Sequence, residues 1–403
     1  MESQAPTAWQ RLRASVWPYA GLSASYFAYI GFFNPFLPLW LQSLGLSLAT
    51  ISVMVSLQSA TRLYAPYLWG WLGDHTGRTE RLLRVAATGA ALLSLGLWVH
   101  WSVVGLTVVL IAMFTLTGAM MPMSEAALVK RLSEDGGLDA RRYGRVRLWG
   151  SVGFLLTVTL AGAGFERGGM GAFPYWTTGI LAMVAVVCWL IPSAHTPRSA
   201  DSAGGLRGIA RIPLLRWMYA QVFFHILSHT AMYVFLSLYL DELGYSKATI
   251  GLMWAVSVVA EITWFFTQSR WMARAGTGTW LVIVSAVAVL RFALLAGGAQ
   301  WLWLLVLTQM LHALTFAAHH TLCMALITRA CPAPWRGRAQ ALYTTIGYGL
   351  AAVIAGTLGG WVAQTWGLRA VFVLATASAA VAVLMAWRLR RLDDAGALGP
   401  QSV

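Results

Sequence analysis

Phe36–Ile51 reads FLPLWLQSLGLSLATI, and Phe235–Ile250 reads FLSLYLDELGYSKATI. The second stretch begins 199 residues after the first, and ten of the 16 positions are identical. The shared letters are not only apolar, because the Leu-Gly-x-Ser-x-Ala-Thr-Ile register repeats as well. Each copy joins the end of one long apolar run to the start of the next. A weaker echo sets Gly144-Arg145 over Gly337-Arg338. Two similar six-helix halves in parallel order are a transporter architecture, with the binding site near the bilayer midplane at the repeat interface.

The rest of the chain agrees with that reading. Of 403 residues, 58% are hydrophobic and 10% charged, against roughly 25% charged in a soluble domain. So few charges cannot cover a water-exposed surface, which excludes a soluble enzyme. A spanning helix needs about 20 mainly apolar residues. Twelve such spans are expected, at 16–41, 47–72, 82–99, 103–128, 144–164, 172–192, 214–240, 247–269, 278–297, 300–328, 338–363 and 367–388. The first is too long for a signal-peptide core and lacks a cleavage site.

The positive charges test the count. With the N-terminus in the cytoplasm, 23 Lys and Arg fall on the cytoplasmic side and 3 on the other, with Arg62 and Arg291 inside spans. That asymmetry follows the positive-inside rule. Topology therefore accounts for the net charge of +14, and no nucleic-acid partner is expected. Cys188, Cys323 and Cys331 lie in or beside apolar runs and have no metal-ligand or disulfide spacing. The expected organisation is all-α, with a first six-helix bundle over 1–192, a cytoplasmic linker over 193–213, a second bundle over 214–391 and a cytoplasmic tail over 392–403.

Ionisable groups deep in a bilayer are costly and usually face a cavity or a partner. Arg62 lies about 22 Å past Ser47 along the helix at 1.5 Å per residue. A shift of 199 residues carries Arg62 onto Glu261, so the two halves hold opposite charges at equivalent positions. Gln221, His225 and His229 share one face of span 7, and Thr308, His312, Thr315 and His319 share one face of span 10. These two stripes are expected to line one aqueous path. Arg62, Arg147 and Arg291 against Glu125 and Glu261 leave one net positive charge inside the bundle. A positive, aromatic-rich pocket suits a small anion with an apolar body, because Arg grips carboxylates bidentately and aromatic rings stack on a ring.

Several motifs resemble the major facilitator superfamily. Gly70-Trp71-Leu72-Gly73-Asp74-His75-Thr76-Gly77-Arg78 looks like its loop between spans 2 and 3. The resemblance implies a conformational-switch loop at Gly70, Asp74, Gly77 and Arg78. The equivalent loop of the second half, Met272–Gly276, lacks the Asp. Pro35–Leu41, Tyr143–Phe154, Ser228-His229, Ala260-Glu261 and Leu311–Phe316 resemble the phenylpropionate-permease branch, a relative of lactose permease. By that likeness Glu125 and Arg147 match a substrate-holding pair, with Phe154 where the relative stacks an aromatic ring on sugar. Glu261, Arg291 and His312 match its proton-coupling set. Thr315 stands where that set has its fourth member, an acid.

The expected function is secondary active transport of a small organic solute: proton-coupled symport of an aromatic or other small carboxylate by alternating access. Arg62, Glu125, Arg147, Phe154, Tyr29, His229 and Tyr343 are the candidate substrate-binding residues. The alternatives are a sugar or nucleoside symporter, a drug or metabolite exporter, and a transporter-derived ligand sensor. No catalytic motif, phosphate-binding loop, metal set or cofactor is read, so an enzyme is not expected. The expected partners are a small-molecule substrate, protons and the lipid bilayer. The expected setting is a bacterial inner membrane, with both termini cytoplasmic and the protein a monomer.

Overall fold

The computed structural model describes residues 16–99, 102–118, 120–132, 140–191 and 206–394. The bulk of the linker (193–205) and the end of the tail (395–403) lie outside them. So does the side chain of Asp74. The helices run α1 Trp17–Ser43, α2 Leu48–Thr61, α3 Ala65–Thr76, α4 Thr79–Ser94, α5 Val103–Thr117, α6 Met120–Leu132, α7 Ala140–Gly168 and α8 Phe173–Leu190. After the linker come α9 Leu206–Arg211, α10 Pro213–Glu242, α11 Lys247–Met272, α12 Thr277–Gly298, α13 Leu302–Met310, α14 His319–Ala330, α15 Arg336–Tyr343, α16 Ala352–Trp366 and α17 Leu368–Asp394. A π-helical turn at Ala313–Ala318 joins α13 to α14, and another at Thr344–Ala351 joins α15 to α16. No strand occurs among the described residues.

Ten of the expected spans are long and apolar enough to cross a membrane. Of the other two, α1 is 27 residues long and carries no charge, but Ser, Tyr, Asn and Pro dilute its apolar content. It runs as one helix through Pro35 and Pro38. The expected single helix over 47–72 is a correction, because the chain breaks between α2 and α3. Pro66 sits in the first turn of α3, where its missing N–H costs nothing. That N–H would have met the Arg62 carbonyl in a continuous helix. The chain instead closes α2 tightly, with the Arg62 N–H donating to the Ser59 carbonyl at 3.1 Å. Arg62 becomes the C-cap of α2, where a cation complements the negative end of the helix dipole.

The internal repeat has a physical cause. In both copies a glycine takes the left-handed conformation, Gly45 at φ 79° and Gly244 at φ 84°. A serine two residues later caps the next helix. Ser47 Oγ accepts from the Thr50 N–H at 3.2 Å, and Ser246 Oγ accepts from the Thr249 N–H at 3.1 Å. The same corner is thus built twice, from Gly for positive φ and Ser for the N-cap. Gly244→Ala is expected to lower stability by about 1 kcal/mol or more, because a Cβ is strained at positive φ. A thermal-unfolding shift in detergent measures it.

The chain forms two compact units: Met1–Trp40 with Leu63–Ala200, and Leu41–Arg62 with Asp201–Val403. In the first, α1 and α7 touch backbone to backbone. A Cβ on Gly153 would lie 2.0 Å from the Ala24 carbonyl oxygen, and one on Gly31 would lie 2.8 Å from that of Phe154. Small residues at such crossings let membrane helices approach closely. Beside them lies an aromatic core, where Trp40 stacks on Phe173 at 5.1 Å. In the second unit α2 packs on α16, and a Cβ on Gly356 would collide with Ser56 Oγ at 1.6 Å. Large apolar side chains are exposed over both units, with Trp98, Trp189, Trp301, Trp303, Trp361 and Trp366 near helix ends. Exposed apolar sides with terminal Trp are what a bilayer requires.

Candidate functional site

The most densely bonded polar group of the second unit is built around Arg291, in α12, whose relative exposure is 0%. Its Nε donates to the Thr308 carbonyl at 2.7 Å. One terminal nitrogen donates to Thr315 Oγ1 at 3.0 Å and to His312 Nδ1 at 2.9 Å. The other points at Met232 Sδ at 2.9 Å, a weak acceptor. His312 Nε2 lies 2.8 Å from Glu261 Oε1.

These partners fix the protons. Arginine only donates, so His312 Nδ1 must accept. The single ring proton of His312 is then on Nε2 and is donated to the Glu261 carboxylate. A neutral imidazole thus separates a buried cation from a carboxylate that is 17% exposed. The chain Arg291–His312–Glu261 cannot take a proton on His312 without detaching Arg291 from Nδ1. Phe316 lies nearly parallel to the His312 ring at 5.1 Å, and Tyr233 meets it edge-on at 6.4 Å. The structure therefore brings together the three residues matched to a coupling set. Thr315 supplies a hydroxyl to Arg291.

The two polar stripes face each other, but they do not line an aqueous path in this structure. His225, His229, His312 and His319 are all buried. His319 stacks on His225 at 3.9 Å, His225 on His229 at 4.6 Å, and His229 lies 6.2 Å from His312. The π-helical turn makes one of these contacts possible. The His319 N–H bonds to the Leu314 and Phe316 carbonyls, which releases the Thr315 carbonyl to accept from His225 Nε2 at 2.7 Å. Such turns cluster at functional sites. Gln221 orients the far end. Ser285 Oγ donates to the Leu281 carbonyl and so accepts from Gln221 Nε2, which turns Gln221 Oε1 toward His319 Nε2 at 2.9 Å.

Among the described residues, the other candidates make no hydrogen bond to the Arg291–His312–Glu261 chain. Arg62 is exposed, its guanidinium 5.9 Å from the Tyr348 ring centre, with no carboxylate partner among the described residues. Tyr348 is half-buried in the second π-helical turn. Its ring is 5.8 Å from that of Tyr343, which is buried and bonded to His320 Nδ1 at 3.2 Å. In the first unit Arg147 lies 3.5 Å from Glu125 and over the Phe27 ring at 4.3 Å. Phe154, two turns further along α7, is half-buried. Tyr29 is buried in the aromatic core at 4.8 Å from Phe33. Gly77 ends α3 at φ 61° with its N–H on the Gly73 carbonyl at 2.8 Å. Gly70 has open space around it, and Arg78 begins α4.

Sequence reading missed Met232 and left Tyr348 out of the candidate set. Met232 lies three residues after His229, on the same helical face, and that spacing is the signal. Tyr348 shows in the sequence as one of the polar residues of span 11, but its place under Arg62 depends on the break in span 2.

A bundle of membrane-crossing helices with buried ionisable groups and a twofold repeat defines a polytopic solute transporter. The sequence pattern of the MFS_1 like family matches residues 16–374, and the chain belongs to that family, within the major facilitator superfamily. Its members are transporters and not enzymes. The chain is 27% identical over 372 residues to the probable 3-phenylpropionic acid transporter of Escherichia coli (strain K12), covering 90% of this chain and 95% of that protein. It is 25% identical over 364 residues to the maltose permease of Geobacillus stearothermophilus, covering 89% and 90%. In three dimensions it is similar to the nucleoside transporter NupG, with TM-score 0.77 at 16% identity, covering 93% of this chain and 98% of that one. It is also similar to a bacterial homologue of the lysosomal transporter Spinster, with TM-score 0.68 at 13% identity, covering 96% and 98%. These structural likenesses speak to the fold.

Proposed function

We propose that this major facilitator transporter is a proton-coupled symporter of a small carboxylate with an aromatic body. The observation that carries the reading is the contrast between its two intramembrane arginines. Arg291 is committed, through His312, to Glu261. Arg62 is exposed and faces an aromatic ring, without a carboxylate partner among the described residues. A cation beside a π-face can hold the charged and apolar ends of one ligand. The Arg291–His312–Glu261 chain supplies the proton side, because protonating it requires its hydrogen bonds to rearrange. The name of the Escherichia coli relative supports the substrate class.

Alternating access, with the halves 1–192 and 214–391 as the moving bodies, is the mechanism that family membership supports. The charge asymmetry supports cytoplasmic termini in a bacterial inner membrane. A monomer would suffice, and the loop around Gly77 and Arg78 is proposed to act in the switch.

One observation favours a second reading. Arg147 is already paired with Glu125, which leaves both able to hydrogen-bond a neutral polyhydroxylated ligand such as a sugar or nucleoside. Uptake into proteoliposomes under an inward proton gradient separates the two. 3-Phenylpropionate should accumulate, whereas accumulation of maltose or uridine in its place would establish the second reading. Arg62→Gln should weaken apparent affinity for 3-phenylpropionate by roughly 10–100-fold, since a hydrogen bond to a charged group contributes about 1.5–3 kcal/mol. Unchanged half-saturation in that variant would remove Arg62 from the site.

A further inference from the structure

The histidine stack beside Arg291 contains two ring nitrogens that the coupling chain does not use. His225 donates Nε2–H to the Thr315 carbonyl, so its Nδ1 is the acceptor nitrogen. His229 Nδ1 faces the His225 carbonyl at 3.0 Å and must donate to it, so its Nε2 is the acceptor nitrogen. Both His225 Nδ1 and His229 Nε2 are buried and have no hydrogen-bond partner among the described residues. Both side chains are 0% exposed. Buried acceptors are normally satisfied, and exceptions need an explanation. The two rings lie 4.6 Å apart at an interplanar angle of 29°.

We propose that His225 and His229 form a second proton-binding site, which takes up one proton on one or other of its two bare ring nitrogens and is separate from the Glu261–His312–Arg291 chain. Its role in coupling rests on the symport reading, but proton binding itself does not. A neutral imidazole accepts a proton at its bare nitrogen and then carries a positive charge. Two positive rings in contact repel, so the pair titrates as a unit and holds one proton rather than two.

The surrounding groups set the consequence. α12 brings Arg291, α11 brings Glu261 through His312, and the segment from α13 to α14 brings His312, His319 and Cys323. Tyr233 of α10 meets His312 edge-on and His320 lies beyond His319; α17 contributes the Ser378 hydroxyl to the Phe224 carbonyl, the Phe372 ring 5.0 Å from that of Tyr239, and Arg369 near Tyr239 toward the end of α10. Arg291 is the fixed cation of this set. It touches Met232, three residues after His229. A proton on the stack therefore repels Arg291 and loosens its hold on His312. Conversely, the Glu261 carboxylate favours a proton on the stack. The His312 ring lies 6.2 Å from that of His229. A proton released at His312 thus has a second acceptor further along the same unit.

The test is ring-nitrogen NMR of the full chain in lipid nanodiscs, labelled with 15N-histidine and titrated from about pH 8 to about pH 3, which spans the ordinary imidazole range and the acid side of it. His225→Gln and His229→Gln assign the signals, and His229→Phe, which keeps the stacking, replaces a Gln variant that fails to fold. At high pH His225 should appear as the Nε2–H tautomer and His229 as the Nδ1–H tautomer. On acidification the two rings should together gain one proton. In Glu261→Gln this titration should persist but move to lower pH, because the nearby anion is gone. Two rings that stay neutral throughout, or two that each become fully charged, would overturn the proposal. The titration is read without substrate, so failure of 3-phenylpropionate transport would count against the symport reading and not against the proton site.

Discussion

Glu261→Gln is expected to exchange 3-phenylpropionate across the membrane at close to the wild-type rate while losing the ability to accumulate it. The amide keeps the size of the side chain, and its oxygen can still accept from His312 Nε2, now 2.8 Å from Glu261 Oε1. What it cannot do is bind and release a proton. Counterflow, in which labelled and unlabelled substrate exchange, needs only the substrate-loaded carrier to reorient. Accumulation needs the proton to be carried in with substrate and left inside. An inward gradient of about two pH units corresponds to about 2.7 kcal/mol, enough for roughly 100-fold accumulation with one proton per substrate. The variant should fall from that level to equilibration. Paired counterflow and gradient-driven uptake assays in proteoliposomes measure both, and wild-type accumulation by the variant would show that Glu261 is not the coupling acid.

The second large effect concerns Arg291, and it should appear first in stability. Arg291→Ala removes the donor to His312, Thr315 and the Thr308 carbonyl at one stroke. It also leaves Glu261 with no cation at the end of its chain. Breaking a buried ion pair from one side costs about 3–5 kcal/mol, more than most single substitutions. The variant is expected to unfold in detergent at a markedly lower temperature. Adding Glu261→Gln should recover part of the loss, because the stranded carboxylate is then gone. The interaction energy of this double-mutant cycle isolates the coupling between the two. Strictly additive losses would mean that His312 does not transmit between them.

Much of this molecule is legible in its sequence. The Gly45 and Gly244 corners show in the sequence only as a repeated register; positive φ and the N-cap explain why Gly and Ser recur in it. The grouping of Glu261, Arg291 and His312 comes from the resemblance to the permease branch; the cost of charge in an apolar span marks Glu261 and Arg291 but does not join them through His312. The break in span 2 was not read, although Pro66 marks it. A lone Pro in an apolar run permits either a kink or a stop, and only the Arg62 conformation decides. The π-helical turns at 313–318 and 344–351 have no residue-type signature, so the freed Thr315 carbonyl could not be foreseen. The histidine stripes were legible as faces, but not as a dry stack. Helical spacing says which residues share a side, not whether water or another ring meets them. Tyr29 was selected by its place in span 1, and the packing of Phe33 against it belongs to tertiary structure alone.

Proton movement driven by substrate tests proton-coupled symport most directly. Proteoliposomes carrying a pH-sensitive dye in the lumen would receive 3-phenylpropionate outside, with no gradient imposed. Protein-free liposomes and the Glu261→Gln variant would correct for passive entry of the weak acid. Symport predicts lumenal acidification above both controls, at a rate that follows substrate uptake. Protein-dependent uptake without acidification, or with alkalinisation, would contradict it.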